Sequence, residues 1–167
     1  CVYSEPITAT VWGGQTVGGH TVTSVEEILF VSSSTPTLRL YQHCPAEPDS
    51  VRFLTEIQTP IQGTNMEISD VAVYQDYLFV TEVHKPPLQV EQSGVIHVYR
   101  WKQGDLATCP TQPSLLSPPV YLGSFGGDFI PFRLLVDPAR DQLIVGCASN
   151  PFKQGRLLFY DLSEFDP

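Results

Sequence analysis

An internal repeat constrains this chain more than any other feature. Three short apolar runs resemble one another: Ile28-Leu29-Phe30-Val31-Ser32, Tyr77-Leu78-Phe79-Val80-Thr81 and Gln142-Leu143-Ile144-Val145-Gly146. Each follows an apolar segment and a polar turn. The segments are Val22-Thr23-Ser24-Val25, Val71-Ala72-Val73-Tyr74 and Leu134-Leu135-Val136; the turns are Glu26-Glu27, Gln75-Asp76 and Asp137-Pro138-Ala139-Arg140-Asp141. Short apolar runs bounded by turn residues read as two-strand hairpins. A third strand ending in tyrosine follows each hairpin, at Thr37–Tyr41, Val95–Tyr99 and Arg156–Tyr160. The spacing of those tyrosines is 58 and then 61 residues.

A fourth strand recurs between the repeats, at Val51–Ile57 and Val120–Phe125. Each is preceded by a Cys-Pro-x-x-Pro connector, at Cys44–Pro48 and Cys109–Pro113. Ile7–Trp12 has the same strand character. The 15 prolines are spread through the chain, and a proline inside a helix costs about 3 kcal/mol. Few stretches are left that could hold a three-turn helix, so the predicted fold class is all-β.

Composition closes off other classes. The net charge of −9 leaves too little Lys and Arg to neutralise phosphates, which argues against nucleic acid as a partner. No apolar run approaches the roughly 18 residues of a helical membrane span. Hydrophobic residues at 42% with charged residues at 16% argue for a packed core rather than disorder.

Labelled a to d, the strands run d-a-b-c three times, in units of approximately 7–43, 51–101 and 120–162. A four-stranded antiparallel unit resembles the blade of a β-propeller. In the third unit, Asp137–Gly146 is similar to the a–b turn of a WD-repeat blade, and Gly155–Leu162 to its third strand, with Tyr160-Asp161 where Trp-Asp usually stands. The Gly-His signature is absent and the units exceed the usual ~42 residues, so the resemblance is to divergent, WD-repeat-like blades. It covers roughly residues 7–162 and implies a non-enzymatic scaffold for protein–protein interaction or assembly.

Three blades do not close a ring, because propellers typically use four to eight. The expected context is therefore a six- or seven-bladed ring. The remainder of a longer chain, other protein chains, or a second copy in a homo-oligomer would supply the missing blades. A β-sandwich is the alternative, since short strands at close spacing also suit it.

Four cysteines, Cys1, Cys44, Cys109 and Cys147, form no CxxC pair, which argues against a zinc knuckle. Their disulfide state stays open. The absence of an Asn-x-Ser/Thr sequon favours a cytoplasmic or nuclear setting with free thiols. A secreted, carbohydrate-binding propeller is the alternative.

No HExxH, GxSxG or P-loop occurs, and no catalytic residue is assigned. The glycine-rich stretch at 13–19 precedes no helix and reads as a loop. His97, set between Ile96 and Val98, reads as a hydrogen-bonded strand histidine. Asn65, Glu67, Asp70 and Asp128, placed on connections between strands, are weak candidates for a Ca²⁺ site, since oxygen ligands suit that cation. They would belong to a metal-dependent hydrolase or lactonase; otherwise no cofactor is expected. The loops that would share one face of the propeller carry His84, Lys85, Leu88, Asp128, Phe129, Phe152 and Lys153, the candidate partner-binding residues. Aromatic anchors of this kind often dominate interfaces.

Overall fold

The structure, a computed structural model, describes residues 15–17, 20–25, 28–32, 36–43, 51–60, 66–84, 94–101, 118–127, 129–148 and 155–163. They form three antiparallel sheets with no helix. The first contains β1 (Gln15–Val17), β2 (His20–Val25), β3 (Ile28–Ser32), β4 (Thr37–His43) and β5 (Val51–Gln58) in chain order. The second contains β6 (Met66–Tyr74), β7 (Tyr77–His84), β8 (Gly94–Arg100) and β9 (Val120–Gly126); the third contains β10 (Ile130–Asp137), β11 (Gln142–Ala148) and β12 (Gly155–Asp161). Every sheet is a meander in which each strand pairs with its chain neighbour. The hairpins expected from the apolar runs are β2–β3, β6–β7 and β10–β11.

Three local features differ from the sequence reading. Gln15–Val17, inside the glycine-rich stretch, is a strand, and its last pair, Val17↔His20, leaves only Gly18-Gly19 between the paired residues, a composition that suits two-residue hairpins. The strand expected at Val71–Tyr74 starts five residues earlier, at Met66. Its polar residues Ser69 and Asp70 lie at a bulge between Ile68 and Asp70, which breaks the alternation by inserting one residue. The fourth strand of each unit pairs with the third strand before it, β5 with β4 and β9 with β8. The sheets are thus a-b-c-d groupings.

The sheets stack in chain order, and one relation repeats. The leading strand β6 lies against β2, β3 and β4; the leading strand β10 lies against β6, β7 and β8. No described strand of the first sheet approaches one of the third, so the stack is open and no ring closes. Face assignments follow from register. Ile28, Phe30, Leu38 and Leu40 of the first sheet pack on Ile68, Val71, Leu78 and Val80 of the second. The opposite face of the second sheet, with Phe79, Ile96 and Val98, packs on Leu134, Val136, Leu143 and Val145 of the third. The middle sheet is therefore apolar on both faces, and seven consecutive residues of β7, Tyr77–Val83, are buried.

Equivalent positions carry equivalent contacts. Trp101 N–H donates to Asp76 C=O at 2.7 Å and Leu162 N–H donates to Asp141 C=O at 2.6 Å. In both cases the residue after the third strand ties back to the a–b turn and is itself buried. Both turns hold one residue at φ 50°, Gln75 and Asp141. The Asp137 carboxylate braces the longer turn by accepting from the Ala139 amide at 3.1 Å and the Arg140 guanidinium at 2.6 Å.

Phe30 and Phe79 occupy matching places in the first and second sheets. Truncating either to alanine should lower stability by about 3–5 kcal/mol, read as a drop in the urea midpoint. Gly94→Ala should also destabilise, because a Cβ there would stand 2.7 Å from both Glu82 O and Pro131 Cδ; overpacking of this kind costs about 1–3 kcal/mol.

Candidate functional site

Among the described residues, two sets of polar groups and the outer face of the third sheet stand out, beside smaller exposed apolar groups at Val51, Phe53 and Val120–Leu122. The first polar set lies between the first and second sheets. Glu82 on β7 and His97 on β8 are fully buried, and the His97 Nε2 to Glu82 Oε2 distance is 2.6 Å. Tyr121 packs on both His97 and Tyr99. Burial pushes the Tyr99 phenol well above its ordinary range, with Tyr121 and Glu82 adding to the effect. His97 is thus a hydrogen-bonded strand histidine, as its position in the sequence suggests. With no exposure on either partner, the pair ties β7 to β8 and presents nothing to a substrate.

The second polar set joins the second sheet to the third. Asp70 is buried; its Oδ2 accepts from the Leu134 amide at 2.8 Å and its Oδ1 from the Val71 amide at 2.9 Å. Ser69 Oγ donates to Pro131 C=O at 3.0 Å, and Tyr74 OH donates to Asp141 Oδ1. Ser32 Oγ donates to Ile68 C=O at 3.3 Å across the other junction. Ile68 and Pro131 both stand just before the bulges of their leading strands. In each junction, then, a serine on one sheet holds the bulge carbonyl of the next.

These contacts place the candidate metal ligands. Glu67 and Asp70 lie within β6 rather than on a connection, and both Asp70 oxygens are occupied by backbone amides. Asn65 and Asp128 are outside the described residues. No cluster of three His, Cys, Asp or Glu that could hold a metal occurs among the described residues. Of the candidate partner-binding residues, His84 ends β7 half-buried, and Phe129 packs against the second core while its carbonyl accepts from the Gly94 amide at 2.9 Å. Lys85, Leu88, Phe152 and Lys153 are outside the described residues. Cys147 is free and buried; burial pushes its thiol up, against the opposing influence of Arg156. Cys1, Cys44 and Cys109 lie outside the described residues.

The apolar surface is the outer face of the third sheet, which loop-by-loop sequence reading does not find. Register makes its positions comparable with those of the other sheets. Leu38 pairs with Ser32, Ile96 with Thr81 and Leu157 with Gly146; Leu40 pairs with Phe30, Val98 with Phe79 and Phe159 with Ile144. In the first two sheets these residues are core: Leu38 0%, Leu40 0%, Ile96 0% and Val98 4% exposed. In the third sheet the same places are open: Leu157 64% and Phe159 59%. Leu135 and Phe132 on β10 are exposed beside them. A shallow groove of about 520 Å³ runs over this face between Phe132, Arg133, Arg156 and Leu157. The signal was available in the sequence: Leu157 and Phe159 sit two residues apart at the places that Ile96-x-Val98 and Leu38-x-Leu40 fill with core residues.

Two outcomes test the polar sets. Asp70→Ala leaves the Leu134 and Val71 amides buried without their acceptor and should cost roughly 1–3 kcal/mol. Burial is the largest influence on Asp70 and raises its carboxyl above 3.8, while the Leu134 and Val71 amides and Arg133 lower it. The folded chain therefore holds this proton more tightly than the unfolded one. That contribution is fully present below the unfolded value and is lost as pH rises through the folded one. Wild type should lose stability relative to Asp70→Ala over that interval, as read from denaturation midpoints at successive pH values. His97→Leu strands the Glu82 carboxylate and should cost about 3–5 kcal/mol, whereas Glu82→Met with His97→Leu should recover most of the loss, measured by the same denaturation.

No protein-family model, no curated protein and no solved structure matches this chain. Its own geometry alone supports a functional reading.

Proposed function

We propose that this chain is a non-enzymatic assembly or protein-interaction scaffold built from propeller-type blades. The observation that carries the reading is the outer face of the third sheet. Leu157 and Phe159 stand exposed at positions that are core in both preceding sheets. Sizeable contiguous apolar patches on a protein surface commonly mark interaction sites. The repeated stacking supports the propeller reading: β6 on β2, β3 and β4 is matched by β10 on β6, β7 and β8. Applying the same step again would lay a further leading strand on β10, β11 and β12. Under this reading the three sheets are part of a larger ring, and the buried polar groups hold sheets together rather than carry out chemistry.

Crosslinking of the chain at native concentration in cell extract tests this. Wild type should give crosslinked products with protein partners or with copies of itself. Phe159→Glu should remove those products while leaving the circular dichroism spectrum of the β-structure unchanged. A chain that crosslinks to nothing and turns over ester or lactone substrates would instead be a hydrolase.

A further inference from the structure

The scaffold reading leaves open what covers the third sheet, and the two internal junctions bear on that. Each sheet has a forward face, which carries Phe30, Leu38 and Leu40 in the first and Phe79, Ile96 and Val98 in the second. Each also has a rear face, carrying Leu78, Val80 and Tyr99 in the second and Leu143, Val145 and Tyr160 in the third. Both internal junctions place a forward face on a rear face, and neither pairs two faces of the same kind. Among the described residues, the open stack therefore ends in one uncovered face of each kind. The unused forward face, on the third sheet, holds Ile144, Leu157 and Phe159. The unused rear face, on the first sheet, holds Val31, Arg39 and Tyr41.

Register places the rear face of the first sheet at positions that are covered in the other two, and this face carries the exposed Phe53 and the Arg39–Glu56 ion pair at 3.0 Å. Val31 pairs with Arg39, Val80 with His97 and Val145 with Leu158. Val80 and Val145 are both 0% exposed, while Val31 is half-buried. Tyr41 stands where Tyr99 and Tyr160 stand in the covered sheets, and it packs on Phe53 at a ring-centroid distance of 5.6 Å. One molecule thus carries a forward and a rear face whose apolar positions match those of its two internal junctions.

We propose, on the basis of the scaffold reading, that the third sheet is covered by a second copy of this chain. The copies dock head to tail, with the forward face of the third sheet in one on the rear face of the first sheet in the other. Contacts between unlike faces close into a ring when the rotation per step permits and otherwise grow into filaments. Two copies bring six sheets, within the span of roughly four to eight that rings use. The pair closes through two identical junctions.

Light scattering on the eluting chain reads the particle mass, and two variants make the reading specific. Wild type should elute at twice the chain mass. Phe159→Glu on the forward face and Val31→Lys on the rear face should each elute at the mass of a single chain, with unchanged circular dichroism. Arg39→Glu replaces Val31→Lys if the latter fails to fold. Mixing a forward-face variant with a rear-face variant restores one intact junction and should return a species of twice the chain mass. A wild-type single chain at every concentration overturns the proposal, as does a series of sizes that grows with concentration. A wild-type pair broken by Phe159→Glu but indifferent to both rear-face variants also overturns it, because the contact would then join two like faces. In all three cases the scaffold reading stands if Phe159→Glu still removes crosslinks, and falls if the chain crosslinks to nothing.

Discussion

The middle sheet can exist only because both of its faces are covered. A strand sends alternate side chains to opposite sides, so a sheet with one solvated face needs polar residues at every second place. β7 has no such places from Tyr77 to Val83: its even-numbered residues lie under the first sheet and its odd-numbered residues over the third. Neither neighbour is optional for this sequence. The leading strands show how the neighbours are held in position. A bulge in β6 and another in β10 turn a backbone carbonyl towards the preceding sheet, where the Ser32 and Ser69 hydroxyls meet them. Apolar packing supplies the bulk of the attraction, and these directional bonds select the register at which one sheet rests on the next.

Asp70 shows how a structural residue can resemble a functional one. A carboxylate beside Glu67 and close to Asn65 in sequence suggests a cation site. In the fold both oxygens are consumed by amides, one from the adjacent residue and one from the third sheet. At the matching place in the third sheet stands Arg133, since Asp70 pairs with Thr81 and Arg133 with Gly146. The first sheet has Thr21 at this place, paired with Ser32, so among the three sheets only the second carries the carboxylate acceptor. The outermost junction therefore cannot copy this particular bond, and any unit placed there has to answer a guanidinium instead.

Much of the architecture was legible because it rests on local signals. The b strands are short apolar runs behind turn residues, and the third strands repeat a tyrosine that returns to one face of each sheet. All-β character followed from prolines distributed where helices would have needed uninterrupted chain. The start of β6 was not legible, because Ser69 and Asp70 break the apolar alternation and only a bulge reconciles them with a strand. The uncovered face was not legible, since nothing in Leu157-Leu158-Phe159 says whether a neighbour exists. Exposure is a property of the stack, and only register with Ile96 and Leu38 reveals that this stretch is core-type sequence in an open position. The buried pair Glu82–His97 was half visible: His97 stood out between apolar residues, but its partner is 15 residues away and only strand pairing brings them together.

No described strand of the first sheet meets one of the third, so the described sheets form a linear series of contacts. In such an arrangement stability is close to a sum of units and nearest-neighbour junctions. A sheet at either end has one junction within the chain and the middle sheet has two. The end sheets can therefore open while the middle one stays paired, and any influence of one end on the other has to pass through the packing of β6 to β9. A single chain is in this sense a short one-dimensional array, and whatever docks on its end sheets stiffens the parts that have only one junction of their own.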